Sequence, residues 1–176
     1  MADIVVRDAQ LTDAADIGRV HVAAWQEAYV GIMPDDFLAS LDPLERATGW
    51  AEAIERDPNP AEGRRLVVEL DGQVEGIALV WRARGEAQYG LGELIMINLT
   101  PKAWGTGAGT ALLSACVDAL FRDLGFDEAI LWVAEDNARA RRFYEREGWT
   151  ADGTSKSEPF GDVEITELRY HRSNST

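Results

Sequence analysis

Cysteine is almost absent from this chain: Cys116 is the one residue of its kind among 176. No internal disulfide framework can therefore form. Its apolar neighbours Leu112, Leu113, Val117 and Leu120 place it as a small core residue on a helix. Histidine is nearly as scarce, with only His21 and His171. Without ligand spacing around them, neither a metal centre nor a serine triad is expected. Basic charge is also short, 17 Lys and Arg against 31 Asp and Glu, for a formal charge of -14. Such a field repels polyanions, so nucleic acid is not an expected partner and aminoacyl-tRNA is a poor acceptor. No apolar run approaches the ~18 residues that cross a bilayer. Met1-Ala2-Asp3-Ile4 shows no basic segment leading into an apolar one. The expectation is a cytoplasmic protein without a membrane partner.

What remains is 46% hydrophobic, enough for one core, and the length suits one domain. A single domain over 1–172 is expected, with Ser173-Asn174-Ser175-Thr176 as a loose tail. Ile4-Val5-Val6 reads as a strand. Thr12 is then a candidate N-cap for a helix carrying Ile17, Val20, His21, Ala24, Trp25 and Ala28. Pro34 opens a short segment with Phe37, Leu38 and Leu41, and Asp42-Pro43 supplies an N-cap and N1 proline for the next helix. Leu66–Leu70 and Val74–Trp81 form a hairpin through Asp71-Gly72.

Later, a strand from Glu93 to Leu99 ends at Thr100-Pro101 and enters a glycine-rich loop and long helix. A strand at 129–133 leads through Asp136-Asn137 into a helix closed by Gly148, and a last strand runs from Val163 to Tyr170. Several strands are apolar on both faces, as in an α/β (α+β) fold whose mixed central sheet has helices on both sides.

Trp104-Gly105-Thr106-Gly107-Ala108-Gly109-Thr110 lies between strand and helix, where backbone N–H groups can converge on an anion and the helix dipole adds attraction. The dinucleotide fingerprint fails because Thr110 occupies its third glycine, and no Gly-Lys-Ser/Thr completes a P-loop. Either the glycines merely turn the chain or they hold a phosphate.

The loop resembles the main motif of the GNAT acetyltransferase superfamily, Arg/Gln-x-x-Gly-x-Gly/Ala, with Gly107 and Gly109 as its glycines and Trp104 in place of Arg or Gln. Downstream, Leu131-Trp132-Val133 and Asn137 to Trp149 resemble the second motif, Asn-x-x-Ala-x-x-Phe-Tyr-x-x-x-Gly-aromatic. Two motifs in order are far more specific than one. The resemblance implies the GNAT fold and an acetyl-CoA-dependent N-acetyltransferase. Coenzyme A would be held by Trp104, Gly105, Thr106, Gly107, Ala108, Gly109 and Thr110, with Asn137, Ala140 and Tyr144 along the second motif. The alternative is an acyl-CoA-binding sensor that has lost transfer.

Direct attack by an amine needs that amine neutral. A lysine-like group of pKa ~10.4 costs roughly 4.6 kcal/mol to deprotonate at neutral pH, an α-amino group only about 1 kcal/mol. A base is therefore useful, and by resemblance Glu93 takes the proton directly or through water. A solvated strand-end carboxylate is the competing reading, and Glu27 and Glu75 are lesser candidates. Tyr144 matches the family's acid, since a phenol stays protonated at neutral pH and can reprotonate the departing thiolate. It could instead pack against Trp149 in the helix C-cap. Asn137 is a coenzyme contact or an N-cap. Leu99 and Thr100 offer backbone N–H groups to the acetyl carbonyl. Arg139, Arg141 and Arg142 either attract phosphates or form a solvated face.

The family's acceptor pocket lies by the first two helices, which implicates Trp25, Tyr29 and Ile32, beside Gly31, Phe37 and Trp50. The acceptor is a small-molecule amine or a peptide N-terminus, and the resemblance extends to a homodimer.

Overall fold

The computed structural model describes residues 2–58, 60–83, 90–160 and 163–174. Seven strands form one sheet in the order β1-β2-β3-β4-β5-β7-β6. They are β1 (Ile4–Asp8), β2 (Gly63–Leu70), β3 (Gln73–Arg82), β4 (Leu91–Leu99), β5 (Glu128–Ala134), β6 (Thr150–Phe160) and β7 (Val163–Ser173). Five helices accompany them: α1 (Ala14–Ala28), α2 (Asp35–Ser40), α3 (Pro43–Arg56), α4 (Ala108–Asp118) and α5 (Ala138–Arg146).

Local chemistry explains most of the junctions. The β2–β3 turn places Asp71 and Gly72 at φ 52° and 77°, the two positive angles that an Asp-Gly hairpin turn requires. The Asp42 side chain accepts from the Leu44 N–H at 2.9 Å, with Pro43 opening α3. Thr12, by contrast, does not cap α1. It lies in a 3-10 turn, Leu11–Asp13, that runs into the helix. There Asp13 accepts from the Gln10 N–H at 2.7 Å and takes two hydrogen bonds from Arg7. A carboxylate that satisfies both a backbone donor and a guanidinium outcompetes a threonine hydroxyl.

All neighbouring strands pair antiparallel except β4 and β5, which run parallel across the α4 crossover. Helices α1 and α3 cover one face, where Ile17, Val20 and Ile54 meet Val67, Val74 and Ile77. On the other face α4 and the helical turn that continues it, Ala119–Asp123, pack Leu112, Leu113, Cys116 and Leu120 against Val68, Ala78 and Leu131, all at most 1% exposed. Each such leucine contributes about 1.5–3 kcal/mol.

The sheet differs from expectation at its end. Strand β6 pairs with β7 from Thr150↔His171 to Phe160↔Val163. The expected loose tail begins later than 173, because Ser173 pairs with Glu128 and the Asn174 N–H donates to the Asp127 carbonyl at 2.9 Å. Ser175 and Thr176 lie outside the described residues.

Candidate active site

The parallel pair does not stay together. Its register runs from Leu91↔Glu128 to Leu94↔Leu131, yet β4 continues to Leu99 and β5 to Ala134. Strand β4 bulges at the point of departure: Leu79 faces Met96 while Val80 faces Leu94, which leaves Ile95 as the extra residue. A bulge adds local twist and bends the strand away. The two strands splay around a cavity of about 950 Å³, lined by Leu94–Leu99 on one side and Trp132, Val133 and Ala134 on the other. That volume suits a substantial ligand.

One end of the cavity is built by the glycine loop and the start of α5. Gly105, Gly107, Gly109 and Thr110 line it with Trp104, Asn137, Arg139, Ala140, Arg142 and Phe143. Gly107 caps α4 at φ 96°, a conformation costly for other residues. Among the described residues, the N–H groups of Gly109 and Thr110 have no protein acceptor, and the first helical bond is Ala111 N–H to the Gly107 carbonyl. Free donors at a helix N-terminus fit a phosphate-bearing ligand. The Ala108 N–H is already taken by Thr106 Oγ1 at 3.3 Å, and neither residue lines the cavity. Their part is to shape the loop.

Trp104 donates its indole N–H to the Leu99 carbonyl at 3.3 Å, and the Arg139 guanidinium lies 3.2 Å above the centre of its ring. A cation therefore stands beside the position where the related motif carries Arg or Gln. Burial pulls Arg139 below its ordinary range and Glu27 works against that, leaving it charged. Asn137 caps α5, its side chain accepting from the Ala140 N–H at 3.1 Å, and it also lines the cavity.

Thr100 departs from expectation. Its N–H is bound to the Glu75 carbonyl at 2.9 Å and its hydroxyl to the Glu75 carboxylate at 2.7 Å. It is unavailable to a ligand carbonyl and does not line the cavity, whereas Leu99 does. Glu75 is 3% exposed and also meets Lys102 at 3.0 Å and Arg19 at 3.4 Å. Burial opposes its charge, but these partners prevail and hold it below the ordinary carboxylate range. It anchors the loop entrance and is not a base.

Tyr144, 8% exposed, also lines the cavity. Burial, then the neighbouring Tyr29 and Cys116, push its phenol well above the ordinary range, so it is protonated. Its ring lies beside Phe143 and Tyr170, at 5.6 and 6.4 Å. Trp149 packs in the same core, so the expected packing role coexists with cavity access. Cys116 is fully buried, and burial raises its thiol, which removes it as a nucleophile.

Glu93 lies at the foot of the split, paired with Trp81 on one side and Ile130 on the other, and outside the cavity lining. Among the described residues, the carboxylates that line the cavity are Glu158 and Glu167; sequence reasoning missed Glu158 because β6 was not recognised, and Glu167 because its strand, though expected, carried no sign of facing the site. At that end Trp25 and Tyr29 stand 5.0 Å apart, with Phe37 and Phe160 edge to face at 4.4 Å. Burial and Glu167 raise the Tyr29 phenol. Met33 lines the cavity and Ile32 does not. Both N–H groups fold back on the Tyr29 carbonyl, a tight turn that sends the second side chain into the core. Asn98, another unforeseen lining residue, has a buried side-chain nitrogen without a partner among the described residues. His21 is neutral, since it accepts from Trp50 Nε1 at 3.4 Å and burial, helped by Arg46, lowers its pKa to about 4.

A parallel pair split over a donor-rich loop, with a buried phenol and an aromatic wall lining the same cavity, is the kind of site a group transferase needs. Comparisons with known proteins specify it further. The model of the Acetyltransferase (GNAT) family matches residues 22–149. An uncharacterized N-acetyltransferase of Bacillus subtilis, YuaI, is 34% identical over 76% of this chain and 73% of its own. A mycothiol acetyltransferase of Stackebrandtia nassauensis is 36% identical over 48% of this chain and only 28% of that protein. Among solved structures, PaiA N-acetyltransferase from Thermoplasma acidophilum in complex with coenzyme A superposes with a TM-score of 0.78, at 18% identity over 98% of this chain and 99% of that one. YncA of Salmonella typhimurium, with acetyl-CoA, gives 0.71 at 21% identity over 97% and 93%. The chain belongs to the GNAT acetyltransferase family, and no helix among its described residues is long and apolar enough to cross a membrane.

Proposed function

We propose that this protein transfers the acetyl group of acetyl-CoA to a primary amine by direct attack, with both substrates in the split between β4 and β5. The observation that carries the reading is what one cavity brings together: Gly109 and Thr110 with their free N–H donors, the Tyr144 phenol, and an aromatic and acidic wall of Trp25, Tyr29, Glu158 and Glu167. The thioester of acetyl-CoA supplies the activated acetyl group. Its phosphates fit the Gly105–Thr110 loop, with Arg139 giving the charge that Trp104 cannot. Asn137 and Ala140 flank the same arm.

The departure of β4 from β5 leaves the β5-facing edge of Ile95–Leu99 without a strand partner. Backbone N–H groups there take the carbonyl-polarising role first expected of Leu99 and Thr100. Tyr144, kept protonated by burial, stands as the proton donor to the departing sulfur; because the same burial makes it a weaker acid than a free phenol, the transfer accompanies C–S cleavage. The amine's own proton leaves to Glu93 through water, because Glu93 stands outside the lining. The C–N bond forms as the C–S bond breaks, and the proton given by Tyr144 is restored from solvent.

The test is thiol release from acetyl-CoA across a panel of amines, with calorimetric titration of acetyl-CoA alongside. Turnover is expected. Binding without turnover across the panel would instead indicate a sensor, and absence of binding would remove the glycine-loop assignment. The single-domain reading over 1–172 and a homodimer remain proposals of the same kind, the latter checked by sedimentation.

A further inference from the structure

The acceptor end of the cavity carries a charge pattern that the transferase reading leaves unused. Glu158 and Glu167 line the cavity, while Lys156, which pairs with them at 3.5 and 3.1 Å, does not. Lys156 lies 4.6 Å from the centre of the Trp132 ring, which is itself part of the lining. Two carboxylates facing one shared ammonium leave a single uncompensated negative charge toward the ligand. The arginines that line the cavity, Arg139, Arg142 and Arg146, all belong to α5, and Arg139 is held on Trp104 at the cofactor end. His21 accepts a hydrogen bond from Trp50 and is neutral. Among the described residues, no lysine or arginine of α1, α2, β6 or β7 lines the cavity, so this wall offers an acceptor's own carboxylate no cation.

The rest of this wall is apolar. Trp25, Tyr29, Met33, Phe160 and Ile165 meet around the carboxylates, and they pack into the cluster below α1 and α2. Rings of this kind bind cations and apolar bodies alike, and charged groups left unpaired against them are rejected.

Resting on the transferase reading, we propose that the acceptor is a monocationic primary amine carried on an aromatic or bulky apolar body and lacking a carboxylate. Glu167 receives the ammonium before its proton is lost, and the Trp25, Tyr29 and Phe160 surfaces hold the body. An α-amino acid would bring its carboxylate against Glu158 and Glu167. A polyamine would bring second and third charges into an apolar wall that offers one.

Three probes separate these chemistries: 2-phenylethylamine, phenylalanine and spermidine, compared by kcat/KM on the full chain at saturating acetyl-CoA. The expected result is a preference for 2-phenylethylamine of about tenfold or more over both others, the ratio set by one unfavourable charge. Equal or better use of phenylalanine or spermidine, or no turnover of 2-phenylethylamine, overturns the proposal. Glu167→Gln is expected to raise KM for 2-phenylethylamine about tenfold and leave acetyl-CoA affinity unchanged; an unchanged KM counts against it. Glu158→Gln, at an exposed position, repeats the test if the first variant folds poorly. Retained acetyl-CoA binding with the wrong preference sinks this proposal alone, whereas lost acetyl-CoA binding in the unmodified protein sinks the transferase reading beneath it.

Discussion

The Arg139 guanidinium stacks on the Trp104 indole at 3.2 Å, joining α5 to the glycine loop. If the pair acts as a unit on the cofactor's phosphates, removing either partner removes most of its effect. Trp104→Ala and Arg139→Ala are each expected to weaken acetyl-CoA about 3- to 10-fold, consistent with ~0.5–2 kcal/mol for such contacts. The double variant is expected to lose much less than the product of the two. Calorimetric titration of all four proteins measures this coupling, and fully additive losses would separate the two side chains.

Tyr144 is the proposed acid. Tyr144→Phe keeps the ring contacts with Phe143 and Tyr170 and removes only the hydroxyl. A fall in kcat of about 10²–10⁴ is expected, with acetyl-CoA affinity unchanged. Steady-state kinetics beside calorimetry checks it, and unchanged turnover would assign Tyr144 to packing.

Glu75 ties β3, α1 and the loop entrance through Thr100, Lys102 and Arg19. Glu75→Ala leaves the Thr100 hydroxyl buried without its partner and frees two cations. Because Arg19 and Lys102 are 42% and 60% exposed, solvent screens much of their loss. The expected destabilisation is about 1–3 kcal/mol, chiefly from the buried hydroxyl and the charge-assisted bond. Urea unfolding measures it.

His21 makes stability depend on pH. Its folded pKa of about 4 lies below the ordinary value of 6.5, because burial and Arg46 disfavour the cation. The unfolded chain then binds the extra proton between those values, so this contribution is complete above pH 6.5 and is lost as pH falls toward 4. Asp13 and Asp152, both held low, add losses of the same sign at more acidic pH. Replacing His21 with Phe is expected to flatten the slope of unfolding free energy between pH 6.5 and 5, as followed by denaturant titrations at several pH values.

Gly107→Ala forces a side chain into φ 96° at the start of α4. The expected cost is about 1–2 kcal/mol in stability, with weaker acetyl-CoA binding as the loop donors are displaced. Thermal unfolding with and without acetyl-CoA separates the two effects.

The parts of this fold that local chemistry determines could be read from residues. Asp71-Gly72 demands its turn, Asp42-Pro43 its helix start, and the glycines their loop, because each depends on neighbours in sequence. Strand β6 was illegible for the opposite reason. Thr150–Phe160 has little apolar alternation, mostly exposed side chains and an edge position, so it exists as a strand only because β7 pairs with it. Glu158 and Phe160 consequently entered the site unforeseen. Thr100 was misjudged on similar grounds: a sequence shows that an N–H is present but not that a carbonyl from β3 has claimed it. Replacing Ile32 by Met33 in the cavity required the turn around Tyr29, and Arg139 gained its place only through a ring more than 30 positions upstream.

The early parting of β4 and β5 creates two sheet edges in the interior of the molecule. Exposed edges commonly recruit strands from other chains and seed aggregation. These edges escape that hazard because Trp104 and Arg139 from one end, and Trp25 and Tyr29 from the other, border the same opening. A ligand lying along Ile95–Leu99 would meet the hydrogen-bonding edge that β5 leaves unpaired. The same parting thus keeps an unpaired sheet edge within the cavity lining, where it serves a ligand and not a neighbouring sheet.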